Sequence, residues 1–311
     1  MYRWPATDSI LAGSPGRAKG YTTMDVKEFE SLRKRVATPF GEIAYVEKGS
    51  GPAALFVHGV LLNGYLWRHQ IDAFAGERRC IALDLLGHGA TRIAAGQDVS
   101  FPAQAAMIEA FLNALKIDAV DLVANDSGGG ISQIFAAEHP ERIRTLTLTN
   151  CDTHDNYPPP ALMGFIELAK NGQIAATIQR VFDDPEFGKN LLGTAYERPG
   201  DLSAETVAMY LRPWLASAEA AGHLERFLTT FDNADNVRIE PKLRQLQAPT
   251  LIVWATDDIF FDKKWAYWLK ETIPGATEVV EVPGAKLFFP EERPEALIAP
   301  MRRLWKTAVA A

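Results

Sequence analysis

Cysteine is scarce: Cys80 and Cys151 are the two thiols in 311 residues. Two thiols make neither a disulfide framework nor a zinc cluster. Each lies in or beside an apolar run, so buried reduced thiols in a cytoplasmic setting are expected. Positive charge is also short, with 32 Lys+Arg against 39 Asp+Glu and a net charge of −7. No basic run offsets this, which argues against nucleic acid as a partner. No apolar stretch reaches membrane-spanning length, so no membrane partner is expected. No G-x-G-x-x-G opens a helix after the first long strand, and no His/Cys/Asp group has metal-ligand spacing. Neither cofactor nor metal is therefore expected. The opening segment, MYRWPATDSILAGSPGRAKGYTTM, lacks the apolar core of a secretory signal. Its Pro, Gly and Ser content reads as an irregular arm over 1–28, with Met24 a candidate start for the compact part. What remains is an ordinary globular composition, 47% hydrophobic and 23% charged.

Short apolar runs recur, each bounded by turn residues. AALFVH (53–58), RCIALD (79–84), AVDLVA (119–124), RTLTLT (144–149) and TLIVWA (250–255) read as strands buried on both faces. VATPFGEIAYVEKG reads as a hairpin turning at Pro39 to Gly41, and GATEVVEV as a last strand. Helical periodicity fills the gaps at 65–74, 101–115 and 129–139, and later at 265–272 and about 295–307. Strands alternating with helices predict an α/β fold with a mostly parallel sheet covered on both faces. The rhythm stops between Asp152 and Leu246. That segment opens on Pro158-Pro159-Pro160 and shows helical spacing at 161–171, 174–182 and 204–216, with Pro213 a break. The expected organisation is a core of 29–151 and 246–311 carrying a helical cap, 152–245.

The segment DLVANDSGGGISQIFA (121–136) carries the most chemistry. A buried strand runs into glycines and then a helix. A sharp strand-to-helix turn of this kind needs small neighbours, because its central residue is strained and its side chain is lifted clear of the backbone. Here, and in VHG (57–59), DLLGHG (84–89) and HPERI (139–143), the chain resembles the α/β-hydrolase superfamily, whose usual elbow is G-x-S-x-G. The resemblance covers nearly all of 29–311 and implies that fold with a helical cap insertion. Matching the glycines puts Asp126, not Ser127, at the nucleophile position; Asn125 stands where the first glycine of a serine elbow belongs. The bland alternative is that Asp126 merely caps the helix. A carboxylate there resembles the haloalkane dehalogenase and epoxide hydrolase branch. It attacks a saturated carbon to give an ester on the enzyme, which water then clears, and as a carboxylate it needs no base to activate it. The resemblance implies backbone oxyanion donors at Val60 and Ser127, and structural roles for His58 and His88.

The chain departs from that pattern in three places. Ser127 and Val60 replace the Trp and Asn that hold halide in dehalogenases. Leu61 replaces the Pro of the epoxide-hydrolase turn, although Tyr157 and Tyr210 lie in the cap as candidate donors. The third departure is the largest. The catalytic histidine of the resemblance lies in a loop after the last strand; here that loop reads PGAKLFFPEERPE (283–295), with Leu287 at the histidine position and Lys286 beside it. No histidine follows His223. The acid that would orient it has a candidate in Asp258, with Asp257 next to it. Three explanations stand open. His154, with Asp152 or Asp155 nearby, substitutes as base; or Asp126 is a general acid or base for lyase or isomerase chemistry, since burial raises a carboxyl pKa; or the chain is a catalytically inactive binding module. The expected pocket lies at the C-terminal strand ends under the cap, near Trp67, Trp254, Phe260, Phe261, Phe288 and Phe289. Its expected occupant is a small apolar molecule with a C–halogen, epoxide or ester bond. A homodimer is a possible assembly.

Overall fold

Strands covered on both faces need near-continuous apolar sequence, and the chain supplies it in register. The computed structural model describes residues 24–309. Its strands are β1 (Arg33–Thr38), β2 (Gly41–Lys48), β3 (Ala53–Val57), β4 (Arg79–Leu83), β5 (Val120–Asp126), β6 (Ile143–Cys151), β7 (Thr250–Ala255) and β8 (Ala276–Val282). They form one sheet in the order β1-β2-β4-β3-β5-β6-β7-β8. The β1–β2 hairpin joins β4 antiparallel, and every other pairing is parallel. Every residue of β3, β5 and β7 is buried.

The helices are α1 (Val26–Ser31), α2 (Arg68–Phe74), α3 (Phe101–Ala114), α4 (Ser127–Glu138), α5 (Met163–Lys170), α6 (Ile174–Asp183), α7 (Pro185–Leu192), α8 (Ala204–Leu211), α9 (Ala218–Thr229), α10 (Ala234–Val237), α11 (Glu240–Leu243), α12 (Lys264–Thr272), α13 (Phe289–Glu292) and α14 (Pro294–Val309). None is long and apolar enough to cross a membrane among the described residues. The expected arm over 1–28 needs correction at its end. Met24 is fully buried, its N–H donates to Asp72 Oδ2 at 2.7 Å, and Asp25 caps α1; residues 1–23 lie outside the described part.

Between β6 and β7 the chain forms helices joined by loops and contributes no strand. The 204–216 pattern divides as its proline requires: α8 stops at Leu211 and a 3-10 turn, Arg212–Leu215, takes over. Two cap helices go beyond the sequence expectation. One is α7, which starts on the Asp184 cap and Pro185; the other is α9, which starts on the Ser217 cap and buries Ala221, Leu224, Phe227 and Leu228. Asn63 Nδ2 donates to the Met209 carbonyl at 2.8 Å and Trp214 Nε1 to the Leu61 carbonyl at 3.3 Å, fixing the cap over the loop after β3. The loop after β8 holds its other side. There the Phe288 N–H donates to Ala195 O, Tyr196 OH donates to Glu291, and Glu292 accepts the N–H groups of Glu197 and Arg198 at 2.7 and 2.8 Å.

Glycine matters at the β5–α4 junction. A Cβ on Gly129 would collide with Cys151, whereas one on Gly222, inside α9, meets nothing within 4 Å. Gly129→Ala is therefore expected to destabilise the fold by about 1–3 kcal/mol through overpacking. Gly222→Ala is expected to be stabilising by roughly 0.5–1 kcal/mol. Urea unfolding of both variants checks this; equal effects would contradict the packing described.

Candidate active site

At the end of β5 the backbone turns abruptly into α4. Asp126 sits at the turn with φ 57° and ψ −136°, a conformation that costs a non-glycine residue roughly 1–3 kcal/mol and persists where the surroundings enforce it. The neighbours are small because nothing larger fits: a Cβ on Gly128 would strike the His58 carbonyl, and one on Gly59 would strike the Asp126 carboxyl itself. The Asp126 side chain makes no capping bond to α4, so holding a helix end does not explain it.

The carboxyl lines a cavity of about 340 Å³ between the strand ends and the helices that follow β6. Val60, Leu62, Phe165, Ile178, Leu211 and Leu287 contribute to an almost wholly apolar wall. Thr177, Thr194 and Tyr210 are its other polar side chains, and Asp126 is its single acidic or basic group. Burial, then the nearby Asp258, push the Asp126 pKa up to about 8, while the backbone N–H groups of Val60 and Ser127 favour its charged form. Burial likewise raises Asp258 to about 7, opposed by its hydrogen bonds. Burial, with no cation on the cavity wall, thus favours the neutral acid over the carboxylate.

Around it, the expected residues separate. Asp258 lies close enough to Asp126 to raise its pKa, but both its oxygens are engaged, Oδ1 by the Phe260 N–H at 2.8 Å and Oδ2 by Asn150 Nδ2 at 2.8 Å. Leu287, at the position where the resemblance implied a histidine, is buried and lines the cavity. Asn125 is fully buried beneath it and donates to Thr149 Oγ1, Asn150 O and Leu287 O, so it braces the loop and touches no cavity space. Asn150 carries no motif in the sequence; it is one of several polar residues along β6, next to its last residue.

Two expected site residues lie elsewhere. His154 is not a substitute base at this cavity: its ring packs on Trp268 with centroids 4.8 Å apart, and its nitrogens pair with Asp155 and Glu240 at 3.4 and 3.1 Å. Trp67 is not a substrate contact. It is fully buried against Phe56 and absent from the cavity wall, because its 3-10 turn faces the sheet. Phe260 and Phe288 line the cavity, whereas Trp254, Phe261 and Phe289 pack in the core. Tyr157 stacks on Phe101. Tyr210 reaches the wall, but its hydroxyl donates to Glu291 at 3.1 Å, and Glu291 pairs with Arg68 at 2.7 Å. His58 and His88 are buried and kept neutral, at about 4 and about 3, by desolvation.

A carboxyl whose folded pKa stands above its unfolded value keeps a proton that the unfolded chain releases, so stability falls as pH rises between about 4 and 8. Asp126→Asn removes that loss, and Asn tolerates positive φ. The variant is expected to be more stable than the parent by an amount growing to a few kcal/mol by pH 8. Thermal unfolding across that range measures it, and a pH-independent gap would contradict the buried neutral acid.

Comparison with known proteins agrees with this fold. Haloalkane dehalogenase 2 of Mycobacterium bovis is 28% identical over 274 residues, 83% of this chain and 90% of the relative. Cis-3-alkyl-4-alkyloxetan-2-one decarboxylase of Xanthomonas campestris is 24% identical over 84% of this chain and 91% of the relative. The crystal structure of an α/β hydrolase fold protein from Burkholderia ambifaria superposes with a TM-score of 0.75 at 24% identity, covering 91% of this chain and 99% of that one. Residues 52–293 match the family described as alpha/beta hydrolase fold, and the chain belongs to that family.

Proposed function

We propose that this protein is a hydrolase that acts on a small apolar electrophile through covalent attack by Asp126. The observation that carries this reading is a single carboxyl, presented by a strained elbow, as the sole ionisable acid or base on an apolar cavity wall. The haloalkane dehalogenase and alkyloxetanone decarboxylase names of the relatives support a substrate with alkyl substituents and an electrophilic carbon. The apolar wall recognises such substituents by removing them from water, at about 25 cal/mol per Å². The target bond is C–halogen, ester or epoxide. Leaving groups that depart without a proton suit the site best, because the Tyr210 hydroxyl is committed to Glu291. The N–H groups of Val60 and Ser127, already directed at the carboxyl, remain to hold the oxyanion when the ester is opened.

A second reading has its own observation. A carboxyl titrating near 8 with no imidazole beside it is matched to proton transfer at neutral pH. In that case Asp126 is the general acid of a lyase or isomerase and forms no adduct.

The two readings differ in pH sign. Nucleophilic attack requires the anion, so the rate of ester formation with bromoalkanes is expected to rise about tenfold per pH unit below 8 and level off above. General-acid activity would instead fall above 8. Intact-mass spectrometry after bromoalkane treatment decides: an adduct of alkyl mass, absent in Asp126→Asn, supports the nucleophile. Turnover lost in Asp126→Asn without any adduct in the parent supports proton transfer.

A further inference from the structure

Behind the elbow, four buried polar side chains converge on one small volume. In the β5–β6 register Asp126 lies opposite Cys151, so the next residues, Ser127 and Asp152, leave the strand ends side by side. A Cβ built on Gly130 would stand 2.9 Å from Asp152 Cβ, 3.1 Å from Asn236 Nδ2 and 2.7 Å from the Phe101 ring. These three side chains therefore meet over the bare backbone of Gly130. Tyr157 stacks on the same Phe101 ring, with centroids 4.2 Å apart. Ser127, Asp152, Tyr157 and Asn236 are each 1% exposed. Both amide atoms of Asn236 and Asp152 Oδ1 lack a hydrogen-bond partner, and Ser127 Oγ and Tyr157 OH have none of good geometry, Ser127 leaning on Asp152 and Tyr157 on the Asp232 backbone. Buried polar atoms without partners are costly, and one bound water satisfies two to four of them.

We infer that this cluster binds the water that clears the Asp126 ester, and that Asp152 takes the proton from that water. The inference rests on the reading of Asp126 as nucleophile. It answers the lack of a histidine at the Leu287 position, since both oxygens of Asp258 are engaged while Asp152 keeps one free. Asp126 on β5 and the Ser127 hydroxyl act on Asp152 directly; Cys151 and Tyr157 adjoin it, and these two also feel Asp258 after β7 and Asp235 on α10 respectively. In the resting protein burial keeps Asp152 protonated, and ionisation of Asp126 for the attack adds to that effect. Once Asp126 is an ester its charge has left with the leaving group, so ionisation of Asp152 becomes easier at the stage that needs a base.

The steps balance. The Asp126 carboxylate bonds to the substrate carbon and halide departs with the bond pair. Asp152, having released its proton to solvent, takes one from water as the water oxygen bonds to Asp126 Cγ. The Cγ–O(alkyl) bond then breaks, and the departing alkoxide takes the proton from Asp152. The second water proton goes to solvent, leaving alcohol, halide and a regenerated carboxylate. The water oxygen stays on Asp126.

The full chain, pulsed with 1-bromohexane and followed by intact mass from pH 6 to 9, tests this. In the parent the adduct is expected to decay, faster at higher pH. In Asp152→Asn it should form and persist, with decay at least about 100-fold slower and no longer pH-dependent. Asn236→Leu, which keeps the carboxyl but removes the amide, should also slow decay and serves if the first variant fails to fold. Equal decay in parent and variants, or an adduct that never decays in the parent, overturns the role of Asp152 and leaves Asp126 as nucleophile. No adduct in any of them overturns the Asp126 reading and this one with it.

Discussion

One carboxyl group, forced into an apolar hollow by a backbone turn it would not choose, organises this molecule. The strain at Asp126 is held by β5 on one side and α4 on the other, with glycines wherever a Cβ would intrude. Taking the carboxyl out of water favours its neutral form, and no cation on the cavity wall opposes that. The protein thus accepts a stability penalty that grows with pH in exchange for a group poised to ionise near neutrality.

The loop after β8, where the resemblance implied a histidine, is apolar where it meets the cavity. Leu287 fills the position with hydrocarbon, extending the apolar wall down to Asp126. Its neighbours tie the cap. Lys286 Nζ donates to Gly193 O, Phe288 to Ala195 O, and Glu291 and Glu292 accept from Tyr196, Glu197 and Arg198. The Arg68–Glu291 pair is buried, and Tyr196 and Tyr210 add hydrogen bonds to Glu291, which is what a buried ion pair needs to be tolerated. A loop of this kind anchors the helical segment between β6 and β7 beside the cavity.

Much of this was legible before any coordinates. The apolar runs gave the parallel strands because burial on both faces leaves a mark on every residue of β3, β5 and β7. The elbow was legible because its geometry demands glycine. Distance across the fold was not. His154 is near the elbow in sequence and looked like a spare base, yet a positive φ and the pull of Glu240 turn it onto Trp268. Trp67 follows VHG closely, but the 3-10 turn rotates it into the core. The cap residues that build the cavity carry no motif, since any apolar side chain serves there. The ionisation of Asp126 depends on burial and on Asp258, 132 positions on, which no local pattern encodes.

The most direct measurement is infrared difference spectroscopy of the parent against Asp126→Asn, titrated with pH. The account predicts a protonated-carboxyl carbonyl stretch at pH 6 that belongs to Asp126, disappearing with a midpoint near 8. A carboxylate signal from Asp126 already present at pH 6 would contradict it.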